Sequence, residues 1–354
     1  MRNWSRKPRR LPRLSAGRCK SETLNQIKDN PFPYSDSNKR YHTFSYATKK
    51  QYGKKIAKIP LNAGFTCPNR DGRKAYGGCL FCSAKGSGDT ILADRADLKE
   101  QFALNLARAR QKWPGCLGMA YFQSFSNTYA PLEMLQDIYT PFFADPDVAA
   151  LSIATRTDCL DEKAAAWFGQ MQEQYGKEVW LEFGLQSIHP ATEKAMNFAH
   201  SPQDAQQAIR LCKRYGLKSC LHLVNGLPDE SRSMMVETAR FAAGLEPDAV
   251  KIHMLHILKN SRLGQQYLKK PFSLLDQKEY VSIVADQLEV LPAQIIIERV
   301  TGDGLASELL APLWTMKKTI TANEIDKELL ARNSWQGKHS TRPDKPARSI
   351  DLIR

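Results

Sequence analysis

Three of the chain's eight cysteines, Cys67, Cys79 and Cys82, fall in the segment CPNRDGRKAYGGCLFC with the spacing Cys-x11-Cys-x2-Cys. The two-residue gap lets Cys79 and Cys82 point at one metal centre. Cys67 can join them only if the intervening loop folds back, and Gly72, Gly77 and Gly78 supply backbone freedom for that return. Soft thiolates select zinc or an iron-sulfur cluster, and a closed structural site of either kind has four protein ligands. Here no fourth cysteine or histidine follows locally: Ser83, Lys85 and Ser87 come next, and the nearest later cysteine is Cys116. A four-iron cluster held by three cysteines keeps one iron open to an outside ligand, whereas a zinc loop needs a distant fourth ligand. The spacing alone leaves both readings open. Cys19, Cys116, Cys159, Cys212 and Cys220 read as mostly small buried apolar residues.

The elements that must position the thiols follow from the hydrophobic pattern. Lys55 to Phe65 reads as a strand delivering the chain into the cysteine loop. Apolar runs then alternate with helical periodicity. Strands are expected over 118–123, 149–155, 179–186, 217–225, 249–255 and 294–300, with helices over 94–112, 132–143, 162–175, 202–215 and 234–243. Ser201 before Pro202 is a helix start. This alternation predicts an α/β fold with a parallel sheet and right-handed crossovers, a partial barrel of six β/α units whose working residues sit at the C-terminal strand ends. A helical hairpin or bundle is expected to close the chain, with Thr321 and Glu324 as a capping box. The boundaries expected are a basic flexible arm over 1–30, a barrel over 31–300 containing the loop 67–82, a helical extension over 301–335 and a basic tail over 336–354.

At 354 residues and 42% hydrophobic content the chain can bury a substantial core. No apolar run long enough for a membrane span and no signal-peptide core is visible, and free thiols in ligand spacing suit a reducing compartment, so a cytoplasmic location is expected. The net charge is +14, and the first twenty residues carry eight of the basic groups with no acid. Such an excess favours polyanionic partners. The arm reads as an RNA contact, a solvated tail or, less readily, a targeting segment.

Five segments carry a resemblance: CPNRDGRKAYGGCLFC, YFQSFSNTYAP (121–131), SIATRTDCL (152–160), LEFGLQSIH (181–189) and HLVNGLPDES (222–231). Together they resemble the radical S-adenosylmethionine (SAM) enzymes, in the branch with the widened first cysteine gap that includes the elongator-type catalytic subunit; RVTGDG (299–304) belongs to the same branch pattern. The resemblance spans roughly residues 30–335. It implies a radical SAM barrel, a 4Fe-4S cluster on Cys67, Cys79 and Cys82, and SAM on the open iron. Reductive cleavage to a 5'-deoxyadenosyl radical is implied as well, with a reductant such as flavodoxin or ferredoxin. By position it assigns Gln123, Asn127 and Thr128 to the methionine amino group. Thr155 and Gln186 follow at the next strand ends, and Glu182 and His222 are assigned to the ribose or substrate. Phe198 stands where relatives carry an arginine, two residues before the histidine of NxAH, with Arg156 or Lys251 as the replacement cation.

Within the branch the chain is similar to bacterial enzymes of the transfer RNA wobble uridine, which implies conversion of 5-carboxymethylaminomethyl-2-thiouridine to the aminomethyl form. Lys251, His253, His256, Lys259, Arg262, Arg299 and Asp303 cluster late in the barrel, where they suit a carboxylate or anticodon phosphates. Two other readings are a radical enzyme acting on a small molecule or peptide, and a zinc-stabilised nucleic-acid-binding protein. Oligomeric state is not legible.

Overall fold

The computed structural model describes residues 30–86, 91, 97–302, 304 and 306–341. The expected basic arm, apart from residue 30, the tail beyond 341, Ser87 and Asp303 lie outside the described residues.

Seven parallel strands form one sheet in the order β1-β2-β3-β4-β5-β6-β8, comprising β1 (Ile56–Leu61), β2 (Leu117–Phe122), β3 (Val148–Arg156), β4 (Glu178–Gln186), β5 (Lys218–Asn225), β6 (Ala249–Met254) and β8 (Ile296–Arg299). The sheet curls into a half-barrel. A separate antiparallel pair joins β7 (Ile257–Leu258) to β9 (Leu309–Ala311). The six later parallel strands are those the apolar runs predict, within one or two residues at most ends.

Helices α2 (Leu98–Lys112), α3 (Leu132–Ala144), α4 (Glu162–Tyr175), α6 (Pro202–Arg214), α7 (Arg232–Leu245) and α9 (Gln277–Val290) occupy the crossovers. Their starts are written in the sequence. Asp97 accepts from the Lys99 and Glu100 amides, Asp161 from Ala164, and Ser231 from Met234. Ser201 with Asp204, and Asp276 with Glu279, make reciprocal capping boxes. The helices cover the outer face of the sheet. An aromatic cluster sits between α3 and the sheet, where the Phe122 ring lies 4.7 Å from that of Tyr139 and 5.0 Å from that of Phe142. Edge-to-face contacts of this kind add to the burial energy.

The inner face is different, because it carries charge. Glu182 on β4 is fully buried and accepts from Lys58 on β1, Ser152 on β3, His222 on β5 and Lys251 on β6. Glu298 on β8 completes the set, 2.6 Å from Lys58 and 3.2 Å from Lys251. Two lysines therefore balance two carboxylates, and the Lys58–Glu298 contact ties one edge strand of the half-barrel to the other. Helix α1 (Phe44–Tyr52) backs this seam, and the His42 carbonyl just before it accepts from the Ile297 amide at 2.7 Å.

At the C-terminus α9 packs against both α7 and α10 (Lys318–Ala331), so packed helices close the chain as expected. The start of α10 corrects the expected capping box, because Thr321 does not cap it. The helix already runs at that point, and the Thr321 hydroxyl bonds back to the Lys317 carbonyl at 3.2 Å while accepting from Gln277 at 2.9 Å. No helix among the described residues is long and apolar enough to cross a membrane.

Candidate active site

The cysteine loop leaves the end of β1 and turns back on itself at Cys67, whose carbonyl accepts from the Arg70 and Asp71 amides at 2.8 and 3.2 Å. Gly72, Gly77 and Gly78 all hold left-handed backbone angles (φ +93, +77 and +74), which only glycine takes without strain. The returning segment is fastened by α5 (Pro190–Met196), which follows the central strand β4, and by the residue after it. Asn197, itself left-handed at φ +56, donates to the Gly78 carbonyl at 2.8 Å and the Tyr76 carbonyl at 3.2 Å, and Leu80 donates to the Met196 carbonyl at 3.0 Å. Asn69 answers by donating to the Asn197 carbonyl. The NxAH asparagine is thus a clamp on the loop.

Cys67, Cys79 and Cys82 line one cavity of about 130 Å³ at the C-terminal strand ends. Thr155, Arg156, Glu182, Gln186, Gln123 and His222 share its wall. A hydrogen bond from Cys82 holds the Cys79 thiol below its ordinary pKa, and Arg156 and Asn69 act the same way, Asn69 from 3.5 Å. The same hydrogen bond, with burial, pushes the Cys82 thiol the other way, well above its ordinary pKa. Ser126 Oγ and His200 Nδ1, on residues of the same wall, are buried with no partner in the protein, so polar capacity there is left for a bound group. Among the described residues no three His, Cys, Asp or Glu side chains gather as around a single ion. Three thiols on one cavity wall match the soft donor set that an iron-sulfur cluster takes.

Each neighbour is placed by a local device. Gln186 sits at φ +64 where β4 slips register against β5, and its amide folds over Gly184, where a Cβ would come within 2.5 Å of Gln186 Nε2. That contact is the physical content of the GLQ sequence. Arg156 donates to the Phe198 and Ala199 carbonyls at 2.8 and 2.9 Å and pairs with Asp158 through two bonds of 2.8 and 2.9 Å. Burial raises the Asp158 carboxyl pKa, but Arg156 outweighs it and holds the group ionised. Phe198 is fully buried and packs edge-on against Phe81 at 5.8 Å. Arg156 and Arg70 are cations on the wall beside the thiols, while Lys251 pairs with Glu182 and Glu298.

The structure does not bring every expected residue to the wall. Asn127 lies behind it, tying the β2 loop to the Ser124 and Ala154 carbonyls at 3.0 and 2.9 Å. Thr128 faces Thr155 at 2.7 Å and bonds the Cys159 carbonyl at 2.7 Å; Thr155 alone of the two lines the cavity. Asn225, the asparagine of HLVNGLPDES at the end of β5, also lies off the wall, locked into a reciprocal amide pair with Gln287, both bonds 2.8 Å. Glu182 touches the cavity from below with its charge already met. Burial works to raise its pKa, but Lys251 and Lys58 outweigh that and keep it well below the usual carboxylate value. His222 is held by Glu182 at 2.9 Å, and burial followed by Lys251 lowers its pKa, leaving a neutral imidazole.

A second cavity of about 220 Å³ adjoins the first, and Cys82, Tyr121, Gln123, Gln186 and His222 border both. Its own wall includes His253, His256 and Arg299. Of the remaining expected rim, Lys259 donates to the Ser307 carbonyl at 2.7 Å and Arg262, the first residue of α8 (Arg262–Lys269), reaches the Tyr76 carbonyl at 3.4 Å, both at the surface.

Comparison with known proteins adds the family. The Radical SAM superfamily signature matches residues 66–242 and the Radical SAM C-terminal domain residues 247–331. The Bacillus subtilis protein YtqA is 42% identical over 312 residues, 88% of this chain and 96% of its own length. A tRNA uridine(34) acetyltransferase of Methanocaldococcus infernus is 28% identical over 157 residues, 44% of this chain and 28% of that protein. The structure of archaeal M. infernus Elp3 superposes with a TM-score of 0.59 at 17% identity, over 79% of this chain and 64% of that one, a likeness of fold. A signature spanning half the chain, and a relative this similar along nearly its whole length, establish that the chain belongs to the radical S-adenosylmethionine superfamily and is an enzyme of it, with a 4Fe-4S cluster and SAM as cofactors.

Proposed function

We propose that the enzyme acts on the wobble uridine of transfer RNA, taking 5-carboxymethylaminomethyl-2-thiouridine to the 5-aminomethyl form. In this reading Cys67, Cys79 and Cys82 hold the cluster. When bound, the cluster and SAM supply a carbon radical able to remove a hydrogen atom from an unactivated carbon.

The chain's own residues do the rest. Asn197 and Met196 fix the loop so that the thiols keep their separation. Arg156, oriented by Asp158, offers its charge to the SAM carboxylate, and Gln123, Thr155 and Gln186 offer polar contacts along the strand ends. His222, held by Glu182, presents a neutral ring where the two cavities meet. The Lys58–Glu182–Lys251–Glu298 set lies on the inner face of the sheet beside the thiol-lined cavity, which Glu182 borders.

The observation that carries the substrate reading is the junction itself: the thiol-lined cavity opens directly onto one walled by Arg299 and two histidines. A glycine-like substituent lying across it would put its carboxylate on the basic side and its carbon toward the thiols. The excess basic charge suits an RNA, and the partial similarity to a tRNA uridine(34) acetyltransferase points to the same nucleoside. Anaerobic reconstitution with reductant, SAM and total transfer RNA, followed by nucleoside mass spectrometry, tests it. Loss of the carboxymethylaminomethyl nucleoside with gain of the aminomethyl one supports the reading. SAM cleavage that is indifferent to RNA and leaves its nucleosides unchanged refutes it.

A further inference from the structure

The second cavity differs in character from the first. Arg299 brings a permanent cation, His253 and His256 bring imidazoles, and Glu308 is the single carboxylate among its described lining residues. Three features of the fold aim these groups inward.

Strand β8 carries one residue more than β6 at this point: Ile297 stands opposite Val250 and Arg299 opposite Lys251, with Glu298 between. A bulge re-aims the side chain that follows it. Glu298 turns onto Lys58 and Lys251, and Arg299, which strict alternation would send to the helix side, lines the cavity instead. His256 is held between Gly302 and Gly304, where a Cβ would come within 2.7 and 3.2 Å of its ring. Any side chain there would displace the imidazole. His253 Nε2 is buried with no partner in the protein, and the ring stands 5.1 Å from that of His222. Burial, then the His222 ring and Arg299, keep His253 well below the ordinary histidine pKa, so it is a neutral ring.

We propose that Arg299, flanked by His253 and His256, forms a carboxylate-binding subsite that receives a substituted glycine carried by the substrate. The proposal rests on the wobble-uridine reading and names the groups that would recognise its carboxylate. A guanidinium matches a carboxylate with two parallel donors, and a neutral imidazole N–H adds a third. The glycine methylene would then lie toward Gln186 and Cys82, which border both cavities.

The test uses the anaerobically reconstituted holoenzyme and two probes. Fluorescence anisotropy compares an anticodon stem-loop carrying the carboxymethylaminomethyl group with the same RNA as its methyl ester. Saturation-transfer NMR compares N-methylglycine with its neutral methylamide. Wild type is expected to favour the acid over the ester by tenfold or more. Arg299→Gln should bring that ratio near one, and Arg299→Lys should recover part of it. N-methylglycine should show transfer that Arg299→Gln abolishes and that the amide lacks. An acid-to-ester ratio unchanged in Arg299→Gln, with iron content and circular dichroism intact, overturns the proposal, as does N-methylglycine transfer that ignores residue 299. Should Arg299→Gln fail to fold, a wild-type ratio near one overturns it alone. RNA arms that fail while N-methylglycine transfer depends on Arg299 leave the carboxylate subsite standing and refute the RNA substrate.

Discussion

Replacing Glu182 by glutamine should destabilise the protein more than any change at the surface. The carboxylate is fully buried and faces Lys58, Lys251, His222 and Ser152. With Glu182→Gln, Glu298 alone must balance two lysines, one at 2.6 Å and one at 3.2 Å. Removing one partner of a buried charge set costs about 3–5 kcal/mol, because the charge left behind has lost its hydration and its counterion. At about 2–4 °C per kcal/mol for a large domain, the melting temperature should fall by roughly 6–20 °C. Glu182→Gln combined with Lys251→Met restores one cation to one anion, and most of the loss should return. Urea unfolding at neutral pH, run as a double-mutant cycle, reads both numbers. A single variant costing less than about 1 kcal/mol, or a double variant no more stable than Glu182→Gln, would refute the charge-balance argument.

Three further outcomes follow from the same contacts. Gly184→Ala would drive a Cβ to within 2.5 Å of the Gln186 amide; SAM affinity measured by equilibrium dialysis should drop about tenfold while the fold persists, as one charge-assisted bond is lost. Asn197→Ala removes bonds of 2.8 and 3.2 Å to the cysteine loop, so iron retained per chain after desalting should fall while circular dichroism is unchanged. His42 lies away from the thiols, and burial lowers its pKa to about 4. It folds neutral, so stability is full above the unfolded value of about 6.5 and declines as pH falls toward 4, by about 2 kcal/mol at pH 5. His42→Gln should remove that share of the slope in urea unfolding between pH 7 and 5, and an unchanged slope would count against it.

The parallel strands were legible because each is a short apolar run bounded by turn residues, and burial on both faces makes such runs conspicuous. The thiols and GLQS were legible because ligand spacing and a glycine beside a polar residue survive as local patterns. What escaped is what depends on distant partners. Lys58 and Glu298 sit 240 residues apart, and each looks like a lone charge in an apolar strand until the half-barrel brings the edges together. The placement of Arg299 on the cavity wall depends on a bulge, which no periodicity announces. Helix α9 was missed although Asp276 and Glu279 spell its cap, and Thr321–Glu324 imitated a cap inside a helix already under way. Phe198 stands at the position expected for an arginine, and cations reach the thiols instead from Arg156 at the end of β3 and Arg70 in the cysteine loop.

The metal content of the anaerobically reconstituted protein and its response to SAM test most directly whether Cys67, Cys79 and Cys82 hold a cluster with one open iron. About four irons and four sulfides per chain are expected, with an electron paramagnetic resonance signal that SAM shifts and loss of the cluster on replacing any one of Cys67, Cys79 or Cys82 by alanine. A colourless protein with about one zinc per chain, or a cluster that survives Cys79→Ala and ignores SAM, would contradict that assignment.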